Sequence, residues 1–115
     1  MDEILEHTLL YDFYGELLTD RQRQIYEDVI FNDLSYTEVA KEQGISRQGV
    51  YDQIRRINKI LSEYEQKLHL VDQFEKSKQI AGLIKDLSAK GLETGSTDPY
   101  REIEKLSLEL IELFR

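Results

Sequence analysis

Apolar residues along this chain recur at steps of three and four, the spacing that gathers them on one side of an α-helix. Leu5, Leu9, Phe13 and Leu17 predict a first helix over about Asp2 to Leu18. A second begins behind Thr19, with Gln22 three places on as its capping-box partner, and presents Ile25, Val29 and Ile30 as its apolar face. Two further helices fall in SYTEVAKEQGISRQGVYDQIRRINKIL, Ser35 to Leu61. The fourth helix is predicted to run on: Val50, Ile54, Ile57, Leu61, Tyr64, Leu68 and Val71 step by 4, 3, 4, 3, 4, 3 with no Gly or Pro between them, three heptads on one seam. Ile80, Leu83, Ile84 and Leu87 continue in helical style, although Glu75 and Lys78 break the register. LSAKGLETGSTDP interrupts the pattern, after which Asp98 is expected to cap and Pro99 to open a last helix carrying Ile103, Leu106, Leu110 and Leu113. No strand, repeat or low-complexity tract is apparent, so the expected class is all-α.

The stretch from Ser35 has the residue logic of a helix-turn-helix. Ser35 with Glu38 forms a capping box, Ala40 falls where two helices cross closely, and Gly44 falls where the turn needs a positive φ. Ile45 plugs the corner, and Ser46 caps the second helix. Two positions depart from the ideal. Gln43 stands where an apolar side chain is usual, and Gly49 is a poor helix former near the start of the reading helix.

With the seam inward, Gln48, Asp52, Arg55 and Lys59 face outward, Arg47 and Tyr51 flank that face, and Arg56 lies toward its other edge. Gln48 and Arg55 suit base edges, since Gln pairs bidentately with adenine and Arg with guanine; Arg56 and Lys59 suit phosphates. Asp52 is expected to steady Arg55 or Arg56 at i+3 or i+4. The bland alternative for the stripe is a solvated basic face. For the seam two readings stand side by side. Leu61, Tyr64, Leu68 and Val71 either pack against helices of their own chain or join two copies, and a homodimer would present two reading helices to a two-fold operator.

The chain has 115 residues and 40% hydrophobic content, enough for a single domain over residues 1–115 with a modest core. Within it lie a helix-turn-helix core over 19–61, a helical extension over 62–90 and a C-terminal helix over 98–114. Cysteine is absent, which excludes a disulfide framework and Cys-based zinc sites. Acids in MDEILEHTLL and the lack of a long apolar run argue against a secretory signal or a membrane span, so a cytoplasmic protein is expected. Net charge is −8, an objection to nucleic-acid binding that the distribution softens. Residues 1–40 hold ten acids against Arg21 and Arg23, whereas Ser46 to Leu61 holds Arg47, Arg55, Arg56 and Lys59 against Asp52 alone. Binding should therefore be selective and salt-sensitive.

The run from Tyr14 to Leu68, with its YGELLT start and SRQGVYD reading helix, resembles the YlxM family of small bacterial proteins, which in turn is similar to the C-terminal helix-turn-helix region of bacterial sigma factors. The resemblance implies an all-helical DNA-binding or regulatory protein linked to the signal recognition particle pathway. It carries over onto Ser46, Arg47, Gln48, Val50, Tyr51 and Asp52, and brings no catalytic residue. His7 and His69 are isolated, no glycine-rich phosphate loop is present, and neither enzyme activity nor a cofactor is expected. Three functional classes remain: a DNA regulator, an accessory factor touching signal recognition particle RNA or its GTPases, and a protein-interaction module using acidic faces. Structured RNA would have to offer loops, bulges or backbone, since the A-form major groove is too narrow for a helix.

Overall fold

A computed structural model describes residues 3–115, and every regular element among them is helical. The elements are α1 (Glu3–Tyr14), a 3-10 turn (Gly15–Leu17), α2 (Asp20–Tyr26) continuing into a π-helical turn (Glu27–Phe31), α3 (Tyr36–Gln43), α4 (Arg47–Leu68), α5 (Leu70–Thr94) and α6 (Asp98–Leu113). They fall into two compact units, Met1–His69 and Leu70–Arg115. The expected start of the first helix at Asp2 lies outside the described residues.

In the first unit α4 is the central element, with α1, α2 and α3 each packed against it. The local signals at the helix starts behave as the sequence predicts. Thr19 accepts from the Gln22 N–H while the Gln22 side chain accepts from the Thr19 N–H, and Ser35 and Glu38 make the same reciprocal pair. Each box satisfies two donors that helix geometry would otherwise leave without partners. Val39, Ala40, Val50, Ile54, Ile57 and Leu61 are buried, joined by Leu18, Ile25 and Tyr26. Each large apolar side chain so removed from water contributes roughly 1.5–3 kcal/mol.

The inward face of α1 differs from the expected one. Leu5, Phe13 and Leu17 are exposed and Leu9 is half-buried; Tyr14 and Leu18 are buried instead, with His7 and Tyr11 half-buried in line with them. The cause is aromatic stacking. Tyr11 lies 5.5 Å from the Tyr26 ring and 5.3 Å from Phe31, His7 lies 6.3 Å from Tyr26, and Tyr14 stacks on Tyr64 at 5.9 Å while its hydroxyl donates to Glu65 at 2.6 Å. Rings with polar tips bury a large apolar body and still satisfy the tip, so they displace the aliphatic row. The Tyr26 hydroxyl is the exception: it is buried without a hydrogen-bond partner.

Past Tyr26 the helix loosens. Asn32 N–H donates to Glu27 C=O at 2.8 Å, five residues back, and Leu34 N–H to Asp28 C=O at 2.9 Å, six back. This widening shifts the angular spacing of side chains. Val29 and Ile30 end half-buried and Tyr26, not anticipated from the pattern, fully so.

The predicted continuous heptad helix is corrected near the end of its seam. α4 stops at Leu68, and His69 takes a left-handed conformation, φ 57°, with its N–H donating to Glu65 C=O at 2.9 Å. That is the capping geometry usually taken by glycine; histidine is among the few other residues enriched there, so no Gly or Pro is required to end the helix.

The second unit is an antiparallel hairpin of α5 and α6. Gln73 near the start of α5 donates to Leu113 C=O at 3.2 Å near the end of α6. At the other end Gly91 is buried where an added Cβ would come within 2.9 Å of the Tyr100 hydroxyl. That close approach explains why α5 runs through Gly91 to Thr94 instead of ending near Leu87; Gly95, φ 70°, makes the turn. α6 starts one residue earlier than expected: Asp98 is its first residue, and its N–H is met by Ser96 Oγ at 3.2 Å. Ile80, Ile84, Leu87, Ile103, Leu106, Leu110 and Leu113 are only half-buried, and Leu83 is exposed.

Candidate nucleic-acid interface

The turn between α3 and α4 is built by three local choices. Gly44 sits at φ 67°, a conformation that costs other residues about 1–2 kcal/mol, and its N–H donates back to Ala40 C=O. Ile45 N–H also donates to Ala40 C=O, at 3.1 Å. Ser46 Oγ then accepts from Gly49 N–H at 2.9 Å and starts α4. Gly49 itself has Ser46 Oγ and Ile45 close to where a Cβ would stand, 3.3 Å and 3.5 Å away, so its small size fits this corner. Gln43 is half-buried as its amphipathic character suggests, and its C=O accepts from Arg21 at 3.3 Å, which ties α2 to the turn.

From this corner α4 presents its polar side outward. Ser46, Arg47, Gln48, Tyr51, Asp52, Arg55, Arg56 and Lys59 are all exposed, while Val50, Ile54 and Ile57 on the opposite side are buried. The whole candidate stripe therefore shares one solvent-facing surface. Its internal contacts differ from expectation in one respect. Asp52 does not hold Arg55 or Arg56; it accepts from the Gln48 side-chain amide at 3.0 Å. The Arg55 guanidinium instead lies 5.8 Å from the centre of the Tyr51 ring, one turn back, in cation–π range. Tyr36, from the first turn of α3, leans against Tyr51 at 6.3 Å. Sequence spacing along α4 could not find Tyr36, since it arrives from another helix; an aromatic directly behind the Ser35 cap was the only signal.

The four seam residues have separate fates. Leu61 is fully buried and Val71 nearly so within the single chain, Tyr64 is half-buried against Tyr14, and Leu68 is 48% exposed. Of the two histidines, His7 faces Tyr26 and lies 3.9 Å from Glu3, and His69 forms the helix cap. Among the described residues no three His, Asp or Glu side chains gather as a metal site would require, and no helix is long and apolar enough to cross a membrane.

A two-helix corner of this geometry, with an exposed basic second helix, agrees with the family whose profile matches residues 1–97, described as "Putative helix-turn-helix protein, YlxM / p13 like" and designated UPF0122. The chain belongs to the UPF0122 family. It is 38% identical over 114 residues to a UPF0122 protein of Acetivibrio thermocellus, covering 98% of this chain and 97% of the relative. Identity to a UPF0122 protein of Thermoanaerobacter sp. strain X514 is 42% over 117 residues, covering 97% of both chains. A UPF0122 protein of Caldanaerobacter subterraneus subsp. tengcongensis is 54% identical over 70 residues, which span 61% of this chain and 60% of that one. The UPF0122 match thus takes in the helix-turn-helix and most of the second unit.

Proposed function

We propose that this UPF0122 protein is a regulatory, non-enzymatic DNA-binding protein that enters the major groove with the exposed face of α4. The observation that carries the reading is the positive stripe of Arg47, Arg55, Arg56 and Lys59, fully outward on the second helix of a capped helix-turn-helix in a chain that is otherwise acidic. A recognition helix contacts base edges from its N-terminal part and phosphates from its flanks. Gln48 and Arg55 read bases in this scheme, with Arg56 and Lys59 on phosphates. The Gln48–Asp52 bond and the Tyr51–Arg55 stack restrict those side chains before DNA arrives, which lowers the ordering cost of binding, with Gln48 exchanging its Asp52 partner for a base. The acidic remainder repels phosphate away from the stripe and suppresses non-specific association.

A second reading follows from the exposed Tyr51 and Arg55, backed by the half-buried Tyr36, a cluster suited to stacking with unpaired bases of structured RNA. On this reading the RNA, or the GTPases beside it, would belong to the signal recognition particle pathway that the sequence resemblance implies. Competition between duplex DNA and structured RNA across a salt series separates the readings. Arg55→Ala is expected to weaken DNA binding by ~1–3 kcal/mol and to relax selectivity at one base. Unchanged affinity and salt slope in this variant would remove α4 from the interface, and enrichment of RNA alone in cellular crosslinking would replace DNA as the ligand.

A further inference from the structure

Tyr36 stands outside α4, yet an aromatic chain ties it to the stripe there. It is the first residue of α3, and the Ser35–Glu38 capping box fixes the backbone from which its ring projects. That ring meets Tyr51 of α4 at 6.3 Å between centroids and 54° between planes, inside the roughly 4.5–7 Å range in which aromatic pairs attract. Tyr51 in turn lies 5.8 Å from the Arg55 guanidinium, one helical turn on. Tyr36 is half-buried and the other two are exposed, so the chain runs from an anchored inner ring to a free outer charge. Nothing else steadies that charge. Among the described residues no carboxylate pairs with Arg55, and Asp52, three residues back, is bonded to Gln48.

We propose that Tyr36 is a positioning residue for base recognition: acting through the Tyr51 ring, it aims the Arg55 guanidinium at a guanine in the major groove. The inference rests on the DNA-binding reading of α4. Arginine reads guanine bidentately, its planar fork donating to both O6 and N7, so the plane of the guanidinium has to be set as well as its position. A ring packed against the guanidinium restricts that plane. A tyrosine alone on a helix surface has room to change rotamer, whereas Tyr51 is closed on one side by Tyr36 from the neighbouring helix. The place of Tyr36 is itself set by the cap at Ser35 and by Val39 and Ala40, buried where α3 packs on α4. The aim of Arg55 is thereby inherited from the packing of α3, not from the phase of α4 alone. Neither tyrosine hydroxyl hydrogen-bonds within the described residues, so the rings carry the contact. Arg56 and Lys59 lie outside this chain of contacts, and their phosphate contacts do not depend on it.

Selection of bound duplexes from a pool of randomised double-stranded DNA, read by sequencing, tests this on the full chain. The parent should enrich a motif with a guanine whose preference disappears in Arg55→Ala. Tyr36→Ala should lower the preference for that same guanine by about fivefold or more while leaving the other positions of the motif as they were. Tyr51→Ala, at an exposed site that the fold does not need, should produce the same one-base loss. Tyr36→Phe should keep the parental preference, because the ring is retained. In an Arg55→Ala background Tyr36→Ala should change nothing further, a result that a merely structural role would not give, since a loosened corner lowers enrichment at every position. The proposal is overturned by an unchanged guanine preference in Tyr36→Ala, an equal loss at all positions, a loss in Tyr36→Phe as large as in Tyr36→Ala, or a further loss on top of Arg55→Ala. A parent that enriches no motif at all would instead remove the DNA-binding reading, and this inference with it.

Discussion

The two units of this chain are both helical, yet they are held together to different degrees. In residues 3–69 three helices lean on α4, and Tyr14, Ile25, Tyr26, Val39, Val50, Ile57 and Leu61 are almost completely removed from water. In Leu70–Arg115 a single pair of helices meets, and most of its apolar side chains are left half wet. An amphipathic helix gains most of its stability from what covers its apolar stripe. The contrast teaches that the helix-turn-helix corner has a packed support of its own, whereas the hairpin leaves most of its apolar side chains half wet.

The largest effect should come from the tight side of this contrast. Ile57→Ala is expected to cost 2–5 kcal/mol, as about typical for a cavity opened beside a fully buried site. Ile84→Ala, at a half-buried site in α5, should cost well under half as much. Denaturant titration of both variants checks this, and equal losses would erase the distinction between the units.

A second test uses pH. Burial pushes the Tyr26 hydroxyl up to about 12 from the usual 10, and Tyr11 is likewise raised by burial and by its hydrogen bond to Glu27. A phenol whose folded-state value is raised keeps its proton longer in the native protein than in the unfolded chain. Stability is therefore intact below pH 10 and falls as pH rises from about 10 to 12, by on the order of 2–3 kcal/mol for Tyr26. Tyr26→Phe removes a buried hydroxyl that has no partner, so it should be neutral or stabilising at pH 7 and should blunt the loss above pH 10. Thermal melts across that range decide it; an unchanged alkaline loss in the variant would place its origin elsewhere.

Smaller changes probe the corner. Gly44→Ala, forced to φ 67°, should lose ~1–2 kcal/mol although open space surrounds the site, because the penalty is in the backbone. Ser46→Ala should cost ~1 kcal/mol through the lost bond to Gly49. The smallest perturbation is no mutation at all. Native-state hydrogen exchange should show lower protection in α5 and α6 than in α4. Uniform protection would break the comparison outright.

How much of this was legible beforehand follows the range of the interaction involved. Caps at Thr19, Ser35 and Ser46 and the turn at Gly44 depend on residues three or four apart, so the string of letters contains them. The outward stripe from Arg47 to Lys59 is equally local, being fixed by the phase of one helix. The inward face of α1 was not legible, since hydropathy favours Leu5 and Leu17 over tyrosines whose burial depends on Tyr26, Phe31 and Tyr64 arriving from elsewhere. Tyr36 at the candidate interface was hidden for the same reason. Gly91 looked like punctuation because its value lies in the Tyr100 hydroxyl across the hairpin.

His69 has a mechanical meaning beyond ending a helix. Had the heptads run unbroken, α4 and α5 would form one rod, and any torque applied at its far end would rotate the face that carries Arg47 to Lys59. His69 instead takes a left-handed conformation, its N–H donating to Glu65 C=O, and α4 ends there. Within the first unit the face of α4 that carries Arg47 to Lys59 is oriented by packing against α1, α2 and α3.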